Sequence, residues 1–590
     1  MEDSWYHLVV RDCLLREDGR ELPIILLLGP PGTGKSAMVA RIDEKLKAQK
    51  HRSPRARVNL YAAGALLPVS EIVAQVAHGL MKSSRIRLPR TVFTLHVLAL
   101  KTAGLTDAEV LEQLDALLKG AKPAALPLLD GLKALLGMAP PLPAVKAAVT
   151  LLGLLPDHSG YVIRLLNRKG RSWLTTELPD GNLVKLARTH EAGNSDLPAE
   201  VLCKALVTDL RESYARRSRH PRNSLLLIEG AETIGGQDFL KALIAVKGED
   251  PLVVVATSPT WVDTGEIWAR PGLNTTRRPH PPTLPEARHA DWLEQREEDA
   301  TFWYPVLMPS LPRKVSARRY APAIHRLTGG YRQATLDLLE WAGPAPDDDA
   351  FRSILAQKAA LSWSEGLLLT HLDELSGWAS ARNLEDAMNA LPSVWNLRDK
   401  LAETLWLQHD DELGTVIHPW LRQLLMRRLC EKEWDKVHER LAAFYDDDAA
   451  ARFRHHLACV RPGDDGERLT SVVAWLDRKF DLLDANAGGR SRTREWIDLF
   501  NLLTTAPNRL PLEAGLEELH DALVVGASAA RGDRTGILRT LVVNRWFWSD
   551  PLLDPSETRR FQIAQCLRDL SYHSTSPAEL RREADRYEQR

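Results

Sequence analysis

Two kinds of apolar pattern alternate along the first half of the chain. One is the short run in which every position is apolar, and the other is recurrence every three or four residues. The run IILLL at 24–28 has strand length, and it leads through GPPGTGKS into the helical pattern AMVARIDEKLKA. A second strand is predicted at 57–61, a third at 223–229 ending in an acid, a fourth at 251–256 ending at Thr257 and Ser258, and a fifth at 303–308. Helical periodicity fills most of the gaps, at 68–83, 198–217 and 237–246. Fully apolar strands separated by amphipathic helices predict an α/β fold with a doubly wound parallel sheet.

Beyond residue 309 the pattern turns helical and divides the chain further. The predicted units are a sheet domain at 1–309, a helical lid at 310–345, a winged helix at 346–430 and an all-α domain at 431–590. The winged helix is read from several helical periods followed by a short apolar pair, 405–407 and 415–417, around HDDELG. PAPDDDA at 344–350 reads as a linker, and the Pro/Arg/Thr-rich stretch at 264–290 as an irregular loop. Residues 101–196 separate the second and third strands by more than a crossover needs. Their Leu/Ala/Pro-rich middle fits either an inserted helical hairpin packed on the sheet or a surface that meets a partner or a membrane interface.

Composition narrows the partners and the compartment. The 590 residues allow about three to five domains, and 44% hydrophobic with 26% charged residues is a globular composition. Lys+Arg 77 against Asp+Glu 78 leaves no basic excess, so nucleic acid is not expected as a partner over the whole surface. Cys13, Cys203, Cys430, Cys459 and Cys566 form no C-x-x-C pair, which excludes a zinc ribbon and fits a reducing cytoplasm. The start, MEDSWYHLVVRDCLL, lacks the basic and apolar regions of a signal peptide. The most apolar region, 124–156, is broken by Asp130, Lys133, Lys146 and four prolines, so no membrane-spanning helix is expected. A cytoplasmic protein is the expectation.

Gly29-Pro30-Pro31-Gly32-Thr33-Gly34-Lys35-Ser36 matches G-x-x-x-x-G-K-[ST] between a strand and a helix. Gly32 and Gly34 leave the backbone bare, so successive N–H groups can converge on phosphate oxygens at a helix N-terminus. Lys35 is expected to reach the β- and γ-phosphates of ATP and Ser36 to take a Mg²⁺ position. Glu229, closing the third strand, is the expected acid for Mg²⁺ and for catalysis. Many such ATPases place a second acid next, whereas here Gly230 follows and the next acid is Glu232. Either Glu232 reaches the attacking water as a base or hydrolysis is slow. Thr257 and Ser258 are candidates for sensing the γ-phosphate, or they simply terminate the strand.

Three further segments give the chain its resemblance to the STAND branch of P-loop ATPases, relatives of AAA+ proteins that include NACHT and NB-ARC modules. LLLIEGAE at 225–232 resembles the NACHT pattern of apolar strand, acid, small residue, apolar residue, acid. RLTGGYRQAT at 326–335 is similar to a lid segment written T-G-G-x-P-x-A-L, with Arg332 in the place of the proline, as in an AAA+ second sensor. TVIHPWLR at 415–422 resembles the M-H-D motif, with Pro419 in the place of the aspartate. The usual arginine after the fourth strand is also missing, since Pro259 follows Ser258.

The resemblance implies a switch. ADP, touched by His418, would favour a closed monomer, and ATP, touched by Arg332, an open form that self-associates. Read alone, His418 is more often a capped or core histidine than a ligand, and the alternative for Arg332 is a solvated helix-face residue. Arg277 and Arg278 offer an arginine finger to a neighbour, or only a basic loop. Complete switching requires on the order of 5 kcal/mol of differential affinity. The resemblance also implies that the helical region from 431 binds an unknown trigger. With about 23 residues ahead of the first strand, an effector acting in trans is expected. A stress or defence role rests on analogy of fold. The alternatives are an AAA+ DNA initiator or loader and a STAND-type transcriptional regulator, both opposed by the acidic candidate wing, residues 408–412.

Overall fold

A computed structural model of the chain describes residues 5–17, 19–48, 53–61, 67–84, 86–100, 102–118, 160–178, 180–193, 196–215, 221–263, 268–272, 279–299, 301–313, 316, 318–359, 371–391, 396–410, 413–429, 431–461, 467–481, 492–508, 515–525, 533–574 and 576–589. It divides into two compact units. The first comprises Met1–Gly29, Gly34–Ala269 and Arg277–Pro309, and the second Pro30–Thr33, Arg270–Thr276 and Ser310–Arg590.

The first unit is built on five parallel strands: β1 (Ile24–Leu28), β2 (Arg55–Asn59), β3 (Ser224–Glu229), β4 (Leu252–Ser258) and β5 (Trp303–Leu307). Their order is β2-β3-β4-β1-β5. The central strands β3, β4 and β1 are buried at every position, which is why they read as unbroken apolar runs. At one edge β2 buries only Ala56 and Val58 of RARVN, so its signal is alternation rather than a run. Its register, Asn59 opposite Glu229, places the strand two residues earlier than the predicted 57–61. At the other edge Pro305 pairs with Leu26 of β1, a proline position that an edge strand tolerates.

The crossover helices follow the predicted order. Lys35–Ala48 joins β1 to β2, Asp196–Ala215 precedes β3, and Ile234–Val246 joins β3 to β4. Helix Val69–Ser83 lies on β2 so closely that a Cβ on Gly79 would fall 2.7 Å from Ala56 Cβ. Between β2 and β3 stand helices Pro89–Leu98, Asp107–Leu118, Gly160–Glu177 and Leu183–Glu191. The buried Asp209 carboxylate ties this group to Asp196–Ala215, accepting from the Thr91 amide at 2.9 Å and from Arg90 at 3.0 Å. The Leu/Ala/Pro-rich middle of the predicted insertion, 119–159, lies outside the described residues. No helix among the described residues is long and apolar enough to cross a membrane.

The second unit is helical apart from one antiparallel hairpin, β6 (Leu407–Asp410) and β7 (Gly414–Ile417). Helix Leu397–Glu403 precedes the hairpin and helix Pro419–Arg428 follows it. From Glu431–Phe444 to Pro577–Gln589 every element among the described residues is a helix. Two apolar clusters fill this unit. One gathers Tyr320, Trp378, Leu401, Trp406 and Leu421, and the other Trp434, Leu476, Trp496, Trp546 and Leu567. The predicted linker at 344–350 needs correction, because its acids start helix Asp348–Ala359. Asp347 accepts the Ala350 amide at 2.8 Å, an N-cap bond.

The tight fit at Gly79 gives a stability prediction. Gly79→Val should push helix Val69–Ser83 off β2 and cost about 1–3 kcal/mol. A lower urea midpoint of the first-unit transition, followed by circular dichroism, checks it, and an unchanged midpoint refutes it.

Candidate functional site

The loop between β1 and helix Lys35–Ala48 carries two glycines in the left-handed region, Gly32 at φ 86° and Gly34 at φ 91°. The Thr33 hydroxyl and amide both donate to the Pro30 carbonyl, at 2.9 and 3.3 Å, closing the turn. Lys35 is 7% exposed, and its Nζ donates to the Gly29 carbonyl at 2.5 Å. Burial pushes the Lys35 ammonium down to about 7, opposed by the charge of Glu232. Ser36, in the first turn of the helix, presents its side chain to solvent.

The acids at the end of β3 have separate environments. Glu229 is 2% exposed, and its Oε1 accepts from Arg57 Nε at 2.9 Å and Nη2 at 2.8 Å. Arg57 reaches it from the neighbouring edge strand, one same-face position away from the Asn59–Glu229 pair. Gly230 has φ 91°, and a Cβ there would meet Leu60 at 3.3 Å and the Tyr61 ring at 3.4 Å. An acid at 230 would therefore be strained and crowded, which gives a physical reason for its absence. Glu232 is half-buried. It faces the Lys35 ammonium and the Tyr61 hydroxyl, whose phenol is pushed well above its ordinary range by burial and then by Glu232 and Glu229.

Beyond β4, the Ser258 hydroxyl donates to the Thr260 carbonyl at 2.6 Å and accepts the Thr260 amide at 3.2 Å. Both bonds serve the turn that ends the strand. The Thr257 carbonyl accepts the Ala231 amide at 3.0 Å.

In the second unit, three stretches that are remote in sequence meet. The Gly32 carbonyl accepts the Gln333 amide at 3.0 Å, and a Cβ on Gly32 would fall 2.5 Å from the Tyr331 hydroxyl. Gly329 and Gly330 follow helix Ala321–Thr328 at φ 59° and 75°. A Cβ on Gly329 would lie 2.9 Å from the Pro419 ring. Tyr331 stands edge-on to His418 at 5.7 Å and tilts against Trp406 at 5.6 Å. His418 is the N-cap of helix Pro419–Arg428, its Nδ1 accepting the Trp420 amide at 3.2 Å. Burial drives the His418 imidazole down to about 4, so at pH 7 it is neutral. With Nδ1 accepting, the proton resides on Nε2. Arg332 is half-buried and makes no hydrogen bond or ion pair among the described residues. Arg277 and Arg278 lie outside the described residues.

Sequence reasoning missed Arg57, Tyr61 and Tyr331. None belongs to a local motif, and each acts on a residue far along the chain. The glycine at 230 was the available clue to Tyr61, since a missing side chain marks a close approach.

No family model matches the chain, and no curated protein matches it. Among solved structures, a STAND (signal transduction ATPase with numerous domains) protein with a tetratricopeptide repeat sensor, from Pyrococcus horikoshii, is similar over 96% of this chain at 11% identity. The chain spans 61% of that protein's length, and the TM-score is 0.21. A likeness this loose carries no argument about fold or function.

The depressed Lys35 fixes a pH dependence. A phosphate held at this loop would restore the charged ammonium, so binding of ATP there would take up a proton above pH 7. Affinity should then fall as pH rises from 7 to 9, by at most about tenfold per unit. Dissociation constants for ATP across this range test it. The slope should flatten in Lys35→Arg, whose guanidinium stays charged, and a flat profile in the unaltered protein refutes it.

Proposed function

We propose that the chain is an ATP-binding, slowly hydrolysing switch of the STAND type, whose ADP or ATP state sets conformation and self-association for signalling. One observation carries this reading most strongly. In the second unit the phosphate-loop residue Gly32, the T-G-G segment and the His418-Pro419 pair are in mutual contact through Gln333, Tyr331 and Gly329. A displacement of the loop by phosphate would press on Tyr331 and, through it, on the cap of helix Pro419–Arg428.

Roles follow from the chemistry present. The amides of 29–34 and the Lys35 ammonium hold the β- and γ-phosphates, with the Ser36 hydroxyl and the Glu229 carboxylate available for Mg²⁺. That ion, when bound, neutralises phosphate charge. Arg332, having no internal partner among the described residues, is the proposed γ-phosphate sensor. The Nε2–H of His418 is the proposed donor to ADP. Slow turnover is supported by Arg57 holding Glu229 and by Glu232, the remaining acid, facing Lys35 and Tyr61. The helical region from 431 is the proposed binding region for the trigger.

The test combines binding, turnover and mass. ATP should bind and turn over more slowly than about 1 s⁻¹, the low end of ordinary enzyme rates. Lys35→Ala should weaken binding roughly tenfold to a hundredfold. Light scattering should give a monomer with ADP and a larger particle with a non-hydrolysable ATP analogue, a difference lost in Arg332→Ala. A particle of the same mass with either nucleotide would end the switch reading.

A further inference from the structure

Helix Ala449–Ala458 serves both apolar clusters of the second unit, giving Ala451 to one and Ala450, Leu457 and Ala458 to the other. Arg454, in the middle of this helix, is only 4% exposed. Arg352, Arg539, Arg545 and Arg559 are comparably buried, and each of them has a bonded partner. Arg352 is paired with Asp349, and Arg559 donates to Glu517 at 2.6 Å. Arg545 donates to the Tyr587 hydroxyl at 2.7 Å and Arg539 to the Leu523 carbonyl at 2.7 Å. Arg454 makes no hydrogen bond, ion pair or ring contact among the described residues, and its Nη1 is closed off from solvent.

The surroundings add positive charge instead of balancing it. Arg422 of helix Pro419–Arg428 and Arg382, just beyond helix Leu372–Ser380, both act on Arg454, with the Tyr445 phenol opposing them. No carboxylate among the described residues does so. Burial, and then these charges, lowers the Arg454 guanidinium to about 9, so at pH 7 it is still charged. The carboxylates attached to this group of residues are engaged elsewhere. Asp386 accepts the Tyr445 hydroxyl at 2.6 Å, while Asp448 accepts the Ala451 amide at 3.1 Å and lies 3.7 Å from Arg382 Nη1. Arg422 donates to the Ala379 and Ala381 carbonyls at 2.8 and 3.1 Å, and the buried Nε of Arg382 has no acceptor. Burial, and then the charge of Arg454, keeps His438 and His455 neutral, and the two share an Nδ1–Nδ1 hydrogen bond at 2.8 Å. One ring therefore carries its proton on Nε2, and that N–H is also buried without an acceptor. A guanidinium withdrawn from water without a counter-charge is costly, and an anion relieves that cost through charge-assisted hydrogen bonds.

We propose that Arg454, with Arg382 Nε and the unpaired imidazole N–H, holds a monatomic inorganic anion of the chloride class inside the second unit. Donors shut off this fully from solvent leave no place for an organic body, so the class is small and inorganic. The ion supplies the negative charge that the protein itself does not place beside Arg454. The inference stands without the switch reading, since no nucleotide contact enters it.

Thermal unfolding of the full chain, with sodium chloride replaced by sodium gluconate at equal ionic strength, separates a bound ion from screening. Chloride should raise the midpoint of the second-unit transition saturably, by about 2–4 °C once it exceeds its dissociation constant several-fold. Arg454→Met should lose this difference, and in gluconate it should melt about 2–4 °C above the unaltered protein, because no uncompensated charge remains. Lys35→Ala should keep the chloride response, which separates this site from the loop after β1 and from any failure of the switch reading. Bromide is a second probe that needs no variant: crystals grown in sodium bromide should show an anomalous peak in contact with the Arg454 guanidinium. Equal midpoints in chloride and gluconate, a response kept by Arg454→Met or lost in Lys35→Ala, or the absence of a bromide peak at Arg454 would each overturn the inference.

Discussion

The amine of Lys35 is held almost wholly out of water in the loop between β1 and the helix that follows, and its surroundings are arranged around it. Water is largely excluded from it, so the protein must supply what solvent does not. The Gly29 carbonyl accepts from it directly, and Glu232 faces it from beyond β3. Glu232 in turn meets Tyr61, whose ring is accommodated because Gly230 has no side chain. A second carboxylate at the same strand end, Glu229, is matched by Arg57. Two acids and two bases thus share the rim of the sheet, Glu229 in an ion pair with Arg57 and Glu232 in the field of Lys35.

Which parts of this were legible in the sequence depended on how local their causes are. Strands β1, β3 and β4 could be read because burial on both faces leaves no room for a polar residue. The turn between β1 and the helix that follows could be read because its glycines, lysine and serine lie within eight positions of one another. β2 was displaced by two residues because an edge strand buries alternate positions, and RARVN shows only Ala56 and Val58 to the core. The acids of 347–349 look like linker composition but cap and open a helix, a role that depends on one hydrogen bond to Ala350. Arg57, Tyr61 and Tyr331 had no signature, since their partners are distant in sequence.

The residues at 329 and 418–419 also acquire physical reasons in the second unit. Pro419 occupies the first position of its helix, where a fixed φ and a missing N–H cost nothing. Its ring fills the space above Gly329, so the proline and the T-G-G glycine are complementary in shape. The capping that a side chain at 419 does not provide comes from His418 Nδ1 instead. Tyr331, between Gly32, Trp406 and His418, is the group whose movement all three would feel.

The position of β2 at the end of the sheet has a consequence for crowding among copies of the chain. An end strand presents unpaired backbone groups and can recruit a strand from another molecule. Here its side chains not directed into the core are Arg55, Arg57 and Asn59, with Arg55 and Arg57 anchored to Asp43 and Glu229. A second β2 laid against the first would bring like charges together and compete for those anchors. Accretion by sheet extension is therefore penalised, and copies of the chain that gather must do so through other surfaces.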